Sequence, residues 1–180
     1  MSMHDDIEKV LFSKDQIKEI VARLGSEISN DYKDKNLLLV GILKGSVVFM
    51  ADLMREITVP CNIEFMALSS YGSDTRSSGV VRVLKDLSTD IKDYDVLVIE
   101  DILDSGNTLY QLKAMLELRN PKSLKICTFF DKPERRTADI KADYVGAEIP
   151  DAFIVGYGLD YAEKYRNLSY VGVIKPEIYM

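Results

Sequence analysis

The stretch Val96-Leu97-Val98-Ile99-Glu100-Asp101-Ile102-Leu103-Asp104-Ser105-Gly106-Asn107-Thr108-Leu109 decides how this chain folds. It opens on an apolar run, Val96 to Ile99, of the kind that forms a strand buried on both faces. Two carboxylates follow at once, then a third, and then small residues that lead into a helix. Acids at the carboxyl end of a buried parallel strand lie where open α/β sheets bind their ligands. Asp104 to Thr108 offers backbone N–H groups, two hydroxyls and a glycine free of Cβ restriction. At a helix N-terminus that combination suits a phosphate. Acids beside such a turn suit a phosphorylated sugar, with carboxylates for hydroxyls or Mg²⁺ and the turn for the phosphate. A Walker-type loop would need a Gly-Lys-Ser/Thr ending, which this stretch lacks. Without context the same residues also fit an acidic, solvated turn.

Working outward, strand and helix signals alternate. Ser13-Lys14-Asp15-Gln16 has the form of a capping box, and Ile17, Ile20, Val21 and Leu24 follow at helical spacing, so a helix is expected over 14–29. Leu37 to Ile42 reads as a second buried strand and Ser46 to Ile57 as the helix behind it. Strands are expected at 62–69 and 80–84, with the polar stretch Ser70 to Gly79 between them. Leu109, Leu112, Met115 and Leu116 line one helical face, and 124–130, 144–146, 152–156 and 170–174 supply later strands. The alternation argues for an α/β fold with a mostly parallel, twisted sheet covered by helices on both faces. The short terminal strands are expected to form a small lobe from the two chain ends. With 180 residues and no linker or repeat, residues 1–180 read as a single domain.

Composition narrows the function classes. Apolar residues make up 47% and charged residues 29%, ordinary for a soluble globular chain. A net charge of −6 without a basic run argues against nucleic acid as a partner. No apolar run approaches the ~20 residues that span a bilayer, and the acidic N-terminus is not a signal peptide, so no membrane association and a cytoplasmic location are expected. Cys61 and Cys127 read as thiols in a reducing compartment. His4, the only histidine, sits near an end expected to be mobile, which argues against histidine-based catalysis or metal binding.

Leu43-Lys44-Gly45-Ser46 lies between a buried strand and a helix, where backbone donors and one charge can hold an anion. Taken alone it reads better as a tight turn with a solvated lysine, but its place one strand-helix unit before the signature favours the anion site. Ser70-Tyr71 opens a polar loop that reads otherwise as a hairpin tip. Lys132 follows a strand end and is otherwise one surface lysine among many. Phe153 would ordinarily be a core aromatic.

In the signature stretch the chain resembles the phosphoribosyltransferases, whose mark is two acids, a third acid, a small-residue loop and Thr. The segment Asp151 to Tyr161 matches the purine-binding segment of the hypoxanthine-guanine group, and the matches keep one order from Gly41 to Arg166. The resemblance implies the type I phosphoribosyltransferase fold with a hood lobe. It also implies transfer of a phosphoribosyl group from phosphoribosyl pyrophosphate to hypoxanthine or guanine, with Mg²⁺. Glu100 and Asp101 would hold the ribose hydroxyls and the metal shell, and Asp104, Ser105, Gly106, Asn107 and Thr108 would cradle the 5′-phosphate. Asp104 would also be the general base at purine N7. Leu43, Lys44 and Gly45, with a cis peptide after Leu43, and Arg166 would bind pyrophosphate. Lys132 would meet the purine's exocyclic oxygen, Phe153 would stack on the base, Ile154 would read its edge through backbone, and Asp160 would serve the purine site and a second Mg²⁺. Ser70 and Tyr71 would begin a loop that closes over the reacting centre. A homodimer or homotetramer is implied. Ser105 stands where Thr is common, and Pro133-Glu134-Arg135-Arg136 departs from the shared pattern. A xanthine- or pyrimidine-preferring enzyme, or a non-catalytic sensor of the sugar donor, are the alternatives.

Overall fold

The computed structural model describes residues 2–70 and 81–180. In chain order its elements are β1 (Ile7–Phe12), α1 (Lys14–Asp31), β2 (Leu37–Leu43), α2 (Val47–Glu56), β3 (Cys61–Ser70), β4 (Val81–Lys85), β5 (Asp95–Leu103), α3 (Asn107–Glu117), β6 (Ser123–Asp131), β7 (Tyr144–Glu148), β8 (Ile154–Val155), β9 (Val171–Ile174) and α4 (Pro176–Tyr179). The main sheet runs β4-β3-β2-β5-β6-β7, parallel except for the antiparallel edge strand β4. A second sheet, β1-β9-β8, joins the two ends of the chain into the expected lobe.

The central strands explain the layering. In β2 and β5 the side chains alternate between two separate cores. Leu37, Leu39, Leu97 and Ile99 pack with α1 and α2, whereas Leu38, Val40, Val96 and Val98 pack with Leu109, Leu112 and Leu116 of α3. Burial on both sides is why these strands read as unbroken apolar runs. Each fully buried side chain of this kind contributes about 1.5–3 kcal/mol relative to exposure. Helix α1 begins as its capping box dictates: Gln16 N–H donates to Ser13 Oγ at 3.3 Å, and Ser13 N–H donates to Gln16 Oε1 at 2.9 Å.

Several expectations need correction. Strand β5 does not stop at Ile99; it runs through Glu100 and Asp101 to Leu103, with Glu100, Ile102 and Leu103 still paired along β6. Ser46 and Ile57 are the caps of α2 rather than its ends. Of the strand expected over 152–156 only Ile154 and Val155 join the sheet; Gly156 and Tyr157 turn to positive φ, and Gly156 bridges instead to Leu159. The chain start is not loose: a 3₁₀ turn over Met3–Asp6 is capped by Ser2, and His4 Nδ1 lies 2.7 Å from Tyr170 Oη. Among the described residues no helix is long and apolar enough to cross a membrane. Cys61 and Cys127 are both free.

Candidate active site at the carboxyl rim of the sheet

The carboxyl ends of β2, β5 and β6 deliver the candidate residues to one rim. A cavity of about 120 Å³ there is lined by Glu100, Ile102, Leu103, Asp104, Ser105, Gly106, Thr108 and Leu109. A larger cavity of about 830 Å³ lies between α1, α2 and the 157–169 segment, and of the candidate residues it contains only Arg166. Its size reflects a groove between packed helices; the acids and the phosphate-type bend converge on the smaller one.

Gly106 caps α3 at φ +83°, and a Cβ there would sit 2.6 Å from Ile140 Cγ2, so the bend requires glycine. No side chain caps this helix end. The N–H groups of Ser105, Gly106 and Thr108 make no hydrogen bond among the described residues. Orphan donors at the positive end of a helix macrodipole form an anion site.

Glu100 and Asp101 are partly buried neighbours. Burial first, and then the negative charge of Asp101, pushes Glu100 well above the usual carboxylate range. Burial also raises Asp101, opposed by hydrogen bonds from Glu100 and from the Ile102 N–H. Without a cation the pair therefore retains a proton that free carboxylates would release. The sign of the consequence is fixed: folded-state pKa values above unfolded ones mean the native protein binds more protons, so stability falls as pH rises from about 4 through the raised values. In metal-free buffer, Glu100→Gln should raise Tm at pH 7.5 by the ~2–4 °C that about 1 kcal/mol represents in a chain this size. The gain should vanish below about pH 3, where both acids are protonated in either state. Thermal melts of the two proteins across that range check this, and an unchanged or lowered Tm at pH 7.5 contradicts it.

The opposite side of the rim is cationic. The Leu43–Lys44 peptide is cis, as the resemblance implies. Lys44 Nζ sits 2.8 Å from Glu163 Oε2. Arg166 donates to Gly158 O at 2.8 Å, pairs with Asp160 at 2.9 Å and reaches Glu163 at 3.4 Å. Glu163 thus bridges two candidate anion ligands. Asp160 is held by Arg166 and by the Glu163 N–H at 2.9 Å.

Lys132 is 7% exposed and donates to Ala152 O at 2.7 Å, which places it beside Phe153. Burial pulls its pKa below the ordinary lysine range. Phe153 is 41% exposed, although Tyr179 of α4 stacks on it at 4.8 Å and 16°. One ring face is backed and ring area remains open. Ile154 is buried and its backbone pairs with Val173. Arg135 Nε lies 3.0 Å from Asp104 Oδ1, but out of line, so that oxygen keeps an ion-pair contact and no directed hydrogen bond. Arg135 also reaches Asp151 at 3.3 Å, carrying a chain of charges from the bend to the Phe153 segment.

The structure therefore joins Glu100, Asp101 and Asp104–Thr108, places Gly45 against Asp101, and joins Lys44 to Arg166 and Asp160 through Glu163. Tyr71 and the Ser70 side chain lie outside the described residues. Glu163, Arg135, Arg136 and Tyr179 were missed by sequence reasoning; only the basic pair after Lys132 gave a signal.

The phosphoribosyl transferase domain family matches residues 11–162. The chain is 54% identical over 177 residues, 98% of each chain, to the hypoxanthine-guanine phosphoribosyltransferase of Bacillus subtilis (strain 168). It is 51% identical to the bifunctional protein TilS/HprT of Listeria monocytogenes serotype 4b, of which it spans 28%. A crystal structure of a hypoxanthine phosphoribosyltransferase from Staphylococcus aureus superposes with a TM-score of 0.96 at 50% identity, covering 99% of this chain and 97% of that one. With acids, bend and cations on one rim of this sheet, the chain belongs to the phosphoribosyltransferase family, and within it to the hypoxanthine-guanine phosphoribosyltransferases.

Proposed function

We propose that this chain salvages purines, transferring the 5-phosphoribosyl group of phosphoribosyl pyrophosphate to N9 of hypoxanthine or guanine. The products are IMP or GMP and pyrophosphate. The observation that carries the reading is one small cavity lined by Glu100, Asp104, Ser105, Gly106 and Thr108, with Lys132 and Phe153 linked to it through Arg135 and Asp151.

The 5′-phosphate sits on the free N–H groups of the bend, with the Ser105 and Thr108 hydroxyls beside them. Glu100 and Asp101 accept from the ribose hydroxyls. Lys44, Gly45 and Arg166 hold pyrophosphate, and Arg166 and Lys44 must turn from Glu163 toward it. The purine stacks on the open part of Phe153, and Lys132 donates to its exocyclic oxygen. An adenine amino group there would face another donor, an unpaired contact that discriminates strongly. As the C1–O bond to pyrophosphate breaks and the N9–C1 bond forms, Asp104 takes or steadies the purine N7 proton. The backbone of Ile154 reads the base edge, and Ser70 and Tyr71 begin a loop that closes over the reacting centre.

Among the described residues no cluster of three or more protein ligands is placed to hold a metal. The repelling pair Glu100/Asp101, and Asp160 across the rim, fit Mg²⁺, a cation that takes one or two carboxylates and completes its shell with water and substrate phosphate oxygens. Bound there, Mg²⁺ would supply charge neutralisation and orientation of the leaving pyrophosphate. A cytoplasmic, single-domain enzyme that self-associates as a dimer or tetramer completes the reading, supported by the family resemblance.

A spectrophotometric assay of hypoxanthine, guanine, xanthine and a pyrimidine base with phosphoribosyl pyrophosphate and Mg²⁺ tests the proposal. Turnover should be confined to, or strongest with, hypoxanthine and guanine. Preference for xanthine or a pyrimidine, or no turnover with any base, would overturn it.

A further inference from the structure

A bend that offers N–H groups to a phosphate must turn its carbonyls elsewhere, and each carbonyl turned inward needs a donor. Here Leu103, Asp104 and Ser105 all have theirs supplied by the segment after β6. Arg136 Nε donates to Asp104 O at 2.9 Å, and its Nη2 donates at 3.1 Å to Leu103 O, which also accepts from the Lys132 N–H at 3.0 Å. Nη1 donates to Ile140 O at 2.9 Å, and Nη2 also contacts the Asp131 carboxylate. Thr137 N–H and Ala138 N–H then donate to Ser105 O at 2.9 and 3.1 Å. The Arg136 side chain, 15% exposed, packs its stem where a Cβ on Gly106 would lie.

We infer that Arg136 is the positioning residue of the 5′-phosphate cradle, a role that rests on the proposed function and deepens it. Four of its five N–H donors are already engaged within the protein, so it is not itself a ligand for the phosphate. It acts on the opposite side of the bend, drawing the carbonyls of Leu103 and Asp104 inward so that the N–H groups of Ser105, Gly106 and Thr108 stay free. Burying a guanidinium with Asp131 is weak stabilisation at best, since apolar residues of similar volume often serve a fold as well. What an apolar residue cannot do is satisfy three carbonyls in fixed directions, which the planar fork does. Asp131 ends β6, immediately before Lys132, so the same guanidinium also ties the phosphate bend to the strand that carries the base-side lysine.

The test compares wild type, Arg136→Lys and Asp131→Asn in two readouts. The first is the Kd for ribose 5-phosphate by calorimetry, which needs no turnover. The second is KM for phosphoribosyl pyrophosphate against KM for hypoxanthine. Lysine keeps the charge but cannot span the three carbonyls, so Arg136→Lys should weaken ribose 5-phosphate and raise KM for the sugar donor by about tenfold or more. KM for hypoxanthine should move less than threefold. Asp131→Asn, which takes the negative charge out of one Nη2 contact at nearly unchanged volume, should shift the same two quantities in the same direction by about threefold. If Arg136→Lys does not fold, the Asp131→Asn result decides alone. A purely structural arginine would shift both KM values together or lower only Tm, and that outcome, or unchanged donor affinity, overturns the inference. Wild type that binds ribose 5-phosphate but transfers no base would overturn the proposed function alone. Wild type that turns over hypoxanthine but does not bind ribose 5-phosphate overturns the inference alone.

Discussion

Asp104→Asn is expected to lower kcat with hypoxanthine by about two or more orders of magnitude, the usual scale of acid–base catalysis, and to leave IMP affinity within a few fold of wild type. Asparagine copies the shape of the carboxylate but has no basic site for the proton that must leave the purine as N9 bonds to C1. Nucleotide affinity should survive because, on the proposed reading, the 5′-phosphate rests on backbone N–H groups and not on this side chain. The local contacts favour a clean result. Asp104 Oδ1 has an ion-pair contact with Arg135 and no directed hydrogen bond, so the substitution breaks no network that shapes the bend. The bend is held from behind by Arg136, Thr137 and Ala138, which reach main-chain oxygens. Steady-state kinetics with calorimetric titration of IMP measures both halves. Wild-type turnover in the variant removes Asp104 from the role, and loss of IMP binding would mean that its side chain, not the backbone, builds the phosphate site.

How much of this was legible depends on where each residue's partners lie. Strands β2 and β5 were readable because both faces are buried, which leaves no polar position to interrupt the apolar run. Helix α1 was readable because Ser13, Gln16 and the Ile17–Leu24 spacing are all local signals. The acids and the bend were readable because the strand, its carboxylates and the helix start are contiguous. Strand β1 was not, because its register is set by β9 at the far end of the chain and half of its positions are exposed while none is fully buried. Glu163 carries no local mark; its role comes from Lys44 and Arg166, and a positive φ at Ala162 and Glu163 is what aims it. Arg136 looked like a departure from the family pattern. Its worth lies in carbonyls about thirty residues earlier, which no local pattern encodes.

Gly45→Ala is the second large effect, and it separates folding from function. Gly45 lies where the loop after β2 crosses the end of β5, and a Cβ there would overlap Asp101 Oδ2 and come within 2.7 Å of its Cγ. The obstacle is the end of a side chain, so the fold can yield by swinging that carboxylate aside. The site cannot, because Asp101 is one of the two acids read as holding the ribose hydroxyls and Mg²⁺, and its Oδ1 is already fixed by the Ile102 N–H at 2.8 Å. A displacement of about 1 Å at a reacting centre can cost on the order of 100-fold. Gly45→Ala should therefore lower kcat/KM for phosphoribosyl pyrophosphate by about 100-fold and shift the Mg²⁺ dependence to higher concentration. The same variant should lose only a few degrees in Tm, since the apolar strands beneath are untouched. Kinetics at several Mg²⁺ concentrations, with a thermal melt of the same preparation, decides the matter. A collapsed Tm would show that the contact holds the fold together, and unchanged kinetics would show that Asp101 can move without consequence, which would take it out of the site.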